Sequence, residues 1–286
     1  MLNRQKILLD LIYRSGGSMT RLHLVKLAFL FSQVANGKKD NNFYQFVPYK
    51  HGPFSFTLYH EINSLISKGQ LSEIPEKTLR VRNNFTKETL DLDQKLDREI
   101  QLFINNYRNI PLNNLINLVY QEYPWFTLNS EKTNNRFVEY PIVECAIFTM
   151  GYQGWQVDGF LNYIMQKGVR MVIDVRNNPV SRSYGFHKKT LSRLCTNVGV
   201  EYTHFPMLGI KPEMRTNLDS NSDYVHLFSL YEKMVDQNKE QLANVAALVE
   251  EKPSVLMCME SDFSICHRSR LAIKVKDIIR LPIVNI

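Results

Sequence analysis

Three short stretches in the second half of this 286-residue chain place polar, reactive side chains directly after apolar runs. They are Gly151-Tyr152-Gln153-Gly154, Asp174-Val175-Arg176-Asn177-Asn178-Pro179, and Cys258-Met259-Glu260 followed by Cys266-His267-Arg268. Each preceding run reads as a buried strand. In a parallel sheet the strand carboxyl ends gather along one edge, and ligands bind in the crevice there. The spacing therefore predicts one site combining two carboxylates (Asp174, Glu260), two arginines (Arg176, Arg268), His267 and aromatic side chains. A carboxylate so placed can stabilise the positive charge that builds on a sugar as its N-glycosidic bond breaks, and can activate water; glycoside hydrolysis is the nearest analogue. Asp174 and Glu260 are the candidates for that role, and the sequence does not rank them.

Each motif also has a plainer reading. Gly151 and Gly154 permit close backbone approach to a ligand, although any strand-to-helix turn favours glycine. Asp174 follows Met171-Val172-Ile173, where an uncompensated carboxylate is costly to bury, so it either faces the crevice or pairs with Arg176. Glu260 poses the same choice. Backbone N–H groups at the start of a helix after Cys266 can hold an anion while Arg268 clamps it; Gln153, Arg176 and Asn177 are further candidates for holding phosphate and base. Cys266 could instead be a nucleophile activated by His267, but no glycine-rich cradle surrounds it, which favours a buried thiol. Cys258, Cys266 and His267 are suitable zinc ligands, yet their spacing matches no common CxxC-type pattern and adjacent Cys-His pairs chelate one ion poorly. Neither a metal nor a cofactor is expected. No lysine lies in the three blocks, which disfavours a Schiff-base step.

These residues need a scaffold. Residues 143–150, 169–175, 200–205, 254–259 and 282–286 read as strands, separated by amphipathic segments such as Val157, Phe160, Leu161, Ile164 and Met165. The second half is thus an α/β domain with a mainly parallel sheet, spanning 141–286. Within it, Arg182-Ser183-Tyr184-Gly185-Phe186-His187-Lys188-Lys189 interleaves cations with aromatics. That pattern suits a nucleic-acid backbone with a base stacked on Tyr184 or Phe186, or else a solvated loop.

The first half reads differently. Three amphipathic segments (with Leu8 and Leu11, with Leu24, Leu27 and Phe31, and with Leu58, Ile62 and Leu65) are followed by a ribbon from 71 to 85 that carries Lys77, Arg80 and Arg82. Three helices and a basic ribbon make the plan of a winged helix-turn-helix, an α+β module over 1–130 with added helices near 91–107 and 112–120. Lys50, His51 and Ser55, in the Lys50-His51-Gly52-Pro53-Phe54-Ser55 turn, join the ribbon cations as candidate DNA contacts, with Arg182, Lys188 and Lys189 of the second half. Winged helices also serve in dimerisation and docking, so a homodimer stays open. Tyr123, Trp125 and Phe126 precede a polar linker at 129–135 and are expected to pack against the neighbouring domain rather than on bases.

The net charge of +7 raises the prior for a polyanionic partner, and most of it falls in residues 1–140, with 18 Lys+Arg against 13 Asp+Glu. Apolar content of 44% argues against global disorder. Four scattered cysteines make no secreted disulfide framework. Without a membrane-length apolar run or a signal-peptide pattern, a cytoplasmic location and no membrane partner are expected.

The three blocks, together with Phe186-His187-Lys188-Lys189 and Leu208-Gly209, closely resemble the signature segments of domain-of-unknown-function family 488, over roughly 143–286. The resemblance implies a bacterial or archaeal cytoplasmic α/β protein and leaves the reaction open. A DNA-binding module joined to a crevice with carboxylates and aromatics leads to an expectation: a DNA-directed enzyme that removes or processes an extruded base, plain or modified, in defence against foreign DNA. Two other classes stay open. One is a DNA-binding regulator whose α/β domain senses a nucleotide-like ligand; the other is a metal-dependent nuclease, for which the carboxylates are too few.

Overall fold

The computed structural model describes residues 1–34, 43–82, 90–132, 138–215 and 221–286. The last part of the expected ribbon, 83–85, and of the polar linker, 133–135, lie outside the described residues. Two units emerge, 1–139 and 140–286.

In the first unit, α1 (Asn3–Arg14), α2 (Arg21–Val34) and α3 (Phe56–Ser67) bury the apolar faces that the periodicity marks. Leu8, Leu11, Leu24, Leu27, Phe31, Leu58 and Ile62 have no exposed surface and join one core. Full burial of each such side chain contributes roughly 1.5–3 kcal/mol. Thr20 caps α2 by accepting from the His23 N–H at 3.3 Å, and Ser55 caps α3 by accepting from the Leu58 N–H at 3.2 Å. The strands β1 (Ser18–Thr20), β4 (Leu71–Ile74) and β5 (Thr78–Val81) form an antiparallel sheet in the order β1-β5-β4. A hairpin of β2 (Val47–Tyr49) and β3 (Gly52–Phe54) stands between α2 and α3, so these helices lack the short link of a helix-turn-helix. After them, α4 (Gln94–Tyr107) and α5 (Leu112–Glu122) complete the unit. Tyr123 and Phe126 meet Phe29 edge-on, with ring centroids 5.0 and 4.7 Å apart, so both pack on their own unit's core.

The second unit is an α/β domain. Five strands, β6 (Ile147–Gly151), β7 (Met171–Asp174), β8 (Glu201–His204), β9 (Ser254–Cys258) and β10 (Ile283–Asn285), form an all-parallel sheet in the order β10-β6-β9-β7-β8. On one face, α8 (Asn221–Gln237), α9 (Lys239–Glu251) and α10 (His267–Ile279) share a core with Ile173, Leu256 and Cys258. The helices α6 (Val157–Gln166) and α7 (Lys188–Asn197) give nothing to that cluster and bury their own apolar sides, including Phe160, Ile164 and Leu194. A parallel sheet must be covered on both faces in this way. Among the described residues no helix is long and apolar enough to cross a membrane.

One buried charge in the first unit gives a test. Lys26 on α2 is 1% exposed, and its ammonium donates to the carbonyls of His51 and Pro53. Gly52 lets the turn close over it: φ is +84°, and a Cβ there would come within 2.7 Å of the Tyr120 ring. Burial first, and the Lys132 charge second, lower the Lys26 pKa to about 7. The unfolded chain, with a lysine pKa of about 10.4, binds the extra proton between those values. Lys26 thus favours the folded state fully above about pH 10.4, and this contribution is lost as pH falls through about 7. The first unit should gain stability from pH 7 to 10 at up to about 1.4 kcal/mol per pH unit, and Lys26→Met should flatten the slope. Urea unfolding read by Trp125 fluorescence in a Trp155→Phe background measures it; stability falling over that range would contradict the assignment.

Candidate active site

The chain leaves β6 to reach β7 across β9, and leaves β9 to reach β10 across β6. Neighbouring strands whose exits run in opposite directions open a crevice at their carboxyl ends. At this crossing the two loops touch. A Cβ on Gly151 would stand 1.7 Å from the Glu260 carbonyl oxygen, so only glycine fits. The loops are laced by bonds from the Tyr152 N–H to the Cys258 carbonyl (3.1 Å) and the Gln153 N–H to the Met259 carbonyl (2.8 Å). The Ser261 N–H adds a bond to Gln153 Oε1 at 3.3 Å. Arg268, expected to clamp a ligand, has no exposed surface and donates to the carbonyls of Glu260 and Ser261. It holds the turn that presents Glu260, because an arginine this deep needs acceptors and the turn's carbonyls supply them.

A cavity of about 220 Å³ lies here, lined by Tyr152, Arg176, Asn177, Asn178, Val180, Ile210, Pro212, Arg215, Cys258, Met259, Glu260 and His267. The structure thus brings residues of all three blocks together. Asp174 lies behind this lining. It has no exposed surface and accepts from Arg176 Nε (2.8 Å), Arg176 Nη2 (2.6 Å), the Arg176 backbone N–H (3.1 Å) and the Tyr202 hydroxyl (2.7 Å). Its oxygens are thereby engaged with protein donors, and its observed part is to fix Arg176. Burial opposes the Arg176 charge, but the Asp174 hydrogen bonds and charge prevail and raise the guanidinium pKa. The third nitrogen, Arg176 Nη1, donates to the Tyr152 hydroxyl at 3.3 Å, and His204 Nε2 bonds the Arg176 carbonyl at 2.7 Å. Phe186 is fully buried and stacks on Tyr152, with centroids 4.2 Å apart and 13° between planes. It backs the Tyr152 wall and has no face left for a base.

Glu260 is the one carboxylate among the described residues that line the cavity. Its Oε2 accepts from the thiols of Cys258 (3.0 Å) and Cys266 (3.2 Å), while Oε1 stands 3.5 Å from Arg215. Burial works against its charge, but the Cys258 thiol, a backbone bond, the Cys266 thiol and Arg215 hold its pKa down at about 2. His267, 2% exposed, bonds the Val175 carbonyl through Nε2 at 3.0 Å and turns Nδ1 toward Cys258 Sγ, 3.7 Å away. Cys266 is buried behind the cavity, and that burial raises its thiol pKa, the reverse of what an activated nucleophile needs.

The remaining sequence candidates lie elsewhere. Gln153 and Gly154 form the exposed turn after β6. Tyr184 is outside the lining, where burial, then Asp158, raise its pKa and Arg193 bonds it. Arg182, Lys188 and Lys189 are exposed near the start of α7. Lys77, Arg80 and Arg82 are exposed along the ribbon, as are Lys50 and His51 in the hairpin turn, with Lys50 paired to Glu131 at 2.9 Å. Ser55 is a correction: it is fully buried as the cap of α3 and offers nothing to a partner. Sequence reasoning missed Arg215 and Tyr202, named Asn178 only within its block, and missed the part His204 plays in holding Arg176. Tyr202 and His204 alternate along β8, a signal that could have placed both; Arg215 follows an irregular stretch with none.

Residues 156–274 match the family described as Domain of unknown function DUF488. The match takes in the Asp174–Asn178 and Cys258–Arg268 stretches and begins after the Gly151–Gly154 turn. No curated protein and no solved structure matches the chain.

The observed role of Asp174 is testable without a substrate. Asp174→Asn should cost the second unit about 3–5 kcal/mol, because it strands the buried Arg176 charge. Glu260→Gln should cost less, since Arg215 is 43% exposed and keeps water as a partner. Urea unfolding of the two variants compares them directly, and a neutral or stabilising Asp174→Asn would show that the carboxylate is spare.

Proposed function

From a C-terminal unit that is a DUF488 domain, we propose a DNA-directed enzyme that excises or processes a base by cleaving its N-glycosidic bond. The observation that carries this reading is Glu260, the one ionised carboxylate among the described residues of a lining that also holds Tyr152, Arg176 and Arg215. As the bond to a base breaks, the sugar becomes cationic, and a fixed negative charge stabilises that state more than the neutral ground state. A carboxyl held at about pKa 2 is a weak base, so Glu260 acts through its charge. Tyr152, backed by Phe186, supplies a flat apolar surface, and Arg176 and Arg215 supply charge for a phosphate or a departing base. Asp174, Tyr202 and His204 are positioning residues: they orient Arg176 and do not face the ligand.

The first unit supplies the DNA contact in this reading. Its ribbon exposes Lys77, Arg80 and Arg82, which suit backbone phosphates. The exposed positions of α3, His60, Asn63 and Ser67, are uncharged polar or titratable groups suited to base edges. Cytoplasmic action against foreign DNA accords with this pairing of parts.

Duplex DNA with plain and modified bases, incubated with the protein and then treated with alkali, tests the proposal. Strand breaks that require alkali are expected, and Glu260→Gln should slow their appearance by on the order of 100-fold or more. Breaks formed without alkali would make the protein a nuclease. Tight DNA binding with no base loss on any substrate would favour a regulator that senses a nucleotide-like ligand.

A further inference from the structure

Four metal-ligating groups, three of them lining the cavity and Cys266 buried behind it, come together at the end of β9 and the start of α10. Cys258 Sγ, Cys266 Sγ, His267 and one Glu260 oxygen offer ligand atoms that all lie within 4.8 Å of one another. We infer that these four residues form a structural zinc site tying the end of β9 to the start of α10.

The distances fit. Zinc bonds of ~2.3 Å to sulfur and ~2.0–2.2 Å to nitrogen or oxygen, arranged tetrahedrally, put neighbouring ligands about 3.4–3.8 Å apart. Here Glu260 Oε2 lies 3.0 Å from Cys258 Sγ and 3.2 Å from Cys266 Sγ, and His267 Nδ1 lies 3.7 Å from Cys258 Sγ. Those three separations lie within about 0.6 Å of the tetrahedral spacing, and all four ligand atoms stay within 4.8 Å of one another.

A second observation points the same way. His267 Nε2 is bonded to the Val175 carbonyl at 3.0 Å. A carbonyl only accepts, so Nε2 carries the proton, which in the neutral ring leaves the Nδ1 lone pair facing Cys258 Sγ. Metal-binding histidines are held in this manner, the far nitrogen donating to a carbonyl or carboxylate. A histidine placed only for packing has no need of a lone pair aimed at two cysteines and a carboxylate.

The adjacency of Cys266 and His267 is no obstacle. Cys266 is the extended N-cap residue of α10, with φ −110° and ψ 135°, and His267 is the first helical residue. The change of backbone conformation between them lets both side chains turn to one point, which two neighbours within a helix cannot do. Cys258 then comes from a strand end and Glu260 from the turn after it, so all four protein positions of a closed site are filled.

Loading would leave the electrostatics of the floor in place. Two thiolates and a carboxylate against Zn²⁺ sum to one negative charge, the same as the Glu260 carboxylate beside two neutral thiols. The metal site therefore neither requires nor excludes the base-release reading, and it is tested without DNA.

The reduced, untagged full chain, stripped of metal, would be titrated with Co²⁺ and then Zn²⁺. One Co²⁺ per chain is expected, with thiolate-to-cobalt charge transfer and the intense visible bands of a tetrahedral ion, displaced by one equivalent of Zn²⁺. Cys258→Ser or Cys266→Ser, each removing one of two thiolates, should diminish the charge-transfer band and weaken Zn²⁺ by more than the roughly 10–100-fold that loss of an outer partner costs. Cys145→Ser, outside the cluster, should change neither. Should a serine variant fail to fold, the spectrum of the unaltered chain decides alone. A weak octahedral spectrum, or no uptake, would overturn the site.

Discussion

The close approach of Gly151 to the Glu260 carbonyl governs the C-terminal unit. Two adjacent strands send their chains in opposite directions, and the exits pass so tightly that a single added carbon would overlap the oxygen. That contact fixes where the turn after β9 begins, and hence where Cys258 and Glu260 point. Arg268 secures the same turn from beneath by bonding two of its carbonyls. The ligand cavity is the space this crossing leaves open.

A second layer sets the chemistry of the walls. Asp174 is buried and saturated by Arg176 and Tyr202, so its oxygens are spent on holding a guanidinium in one orientation. Such a pair adds little net stability compared with apolar packing, but it is costly to break and defines direction. Phe186 does for Tyr152 what Asp174 does for Arg176: each stands behind a residue that reaches the cavity. With these supports in place, one carboxylate is left facing inward. Its position follows from the backbone and its ionisation from two thiols and an arginine.

Much of this was legible in the sequence. Apolar runs ending in polar blocks located the strand ends, and helical periodicity located the buried faces, because burial imposes those patterns on any sequence. The family resemblance agrees with the match over 156–274. What could not be read was which strand-end carboxylate faces outward. Asp174 and Glu260 follow equally apolar runs, and only the register that sets Asp174 beside His204 brings Tyr202 of β8 onto the former. Phe186 looked free among polar neighbours until the turn before α7 folded it under Tyr152. The convergence of Cys258, Cys266 and His267 was not legible, because the conformational break at the start of α10 leaves no mark on spacing. Arg215 reaches the cavity by a path through an irregular segment, where no periodicity guides a reader.

The central claim is that Glu260 gives the cavity a preference for a positively charged sugar. Binding of two duplexes measures it most directly, one with a cationic pyrrolidine in place of a nucleotide and one with a neutral tetrahydrofuran. The cationic duplex should bind at least about 100-fold more tightly, as transition-state mimics do, and Glu260→Gln should erase the difference. Equal affinity for the two duplexes in the unaltered protein would contradict it.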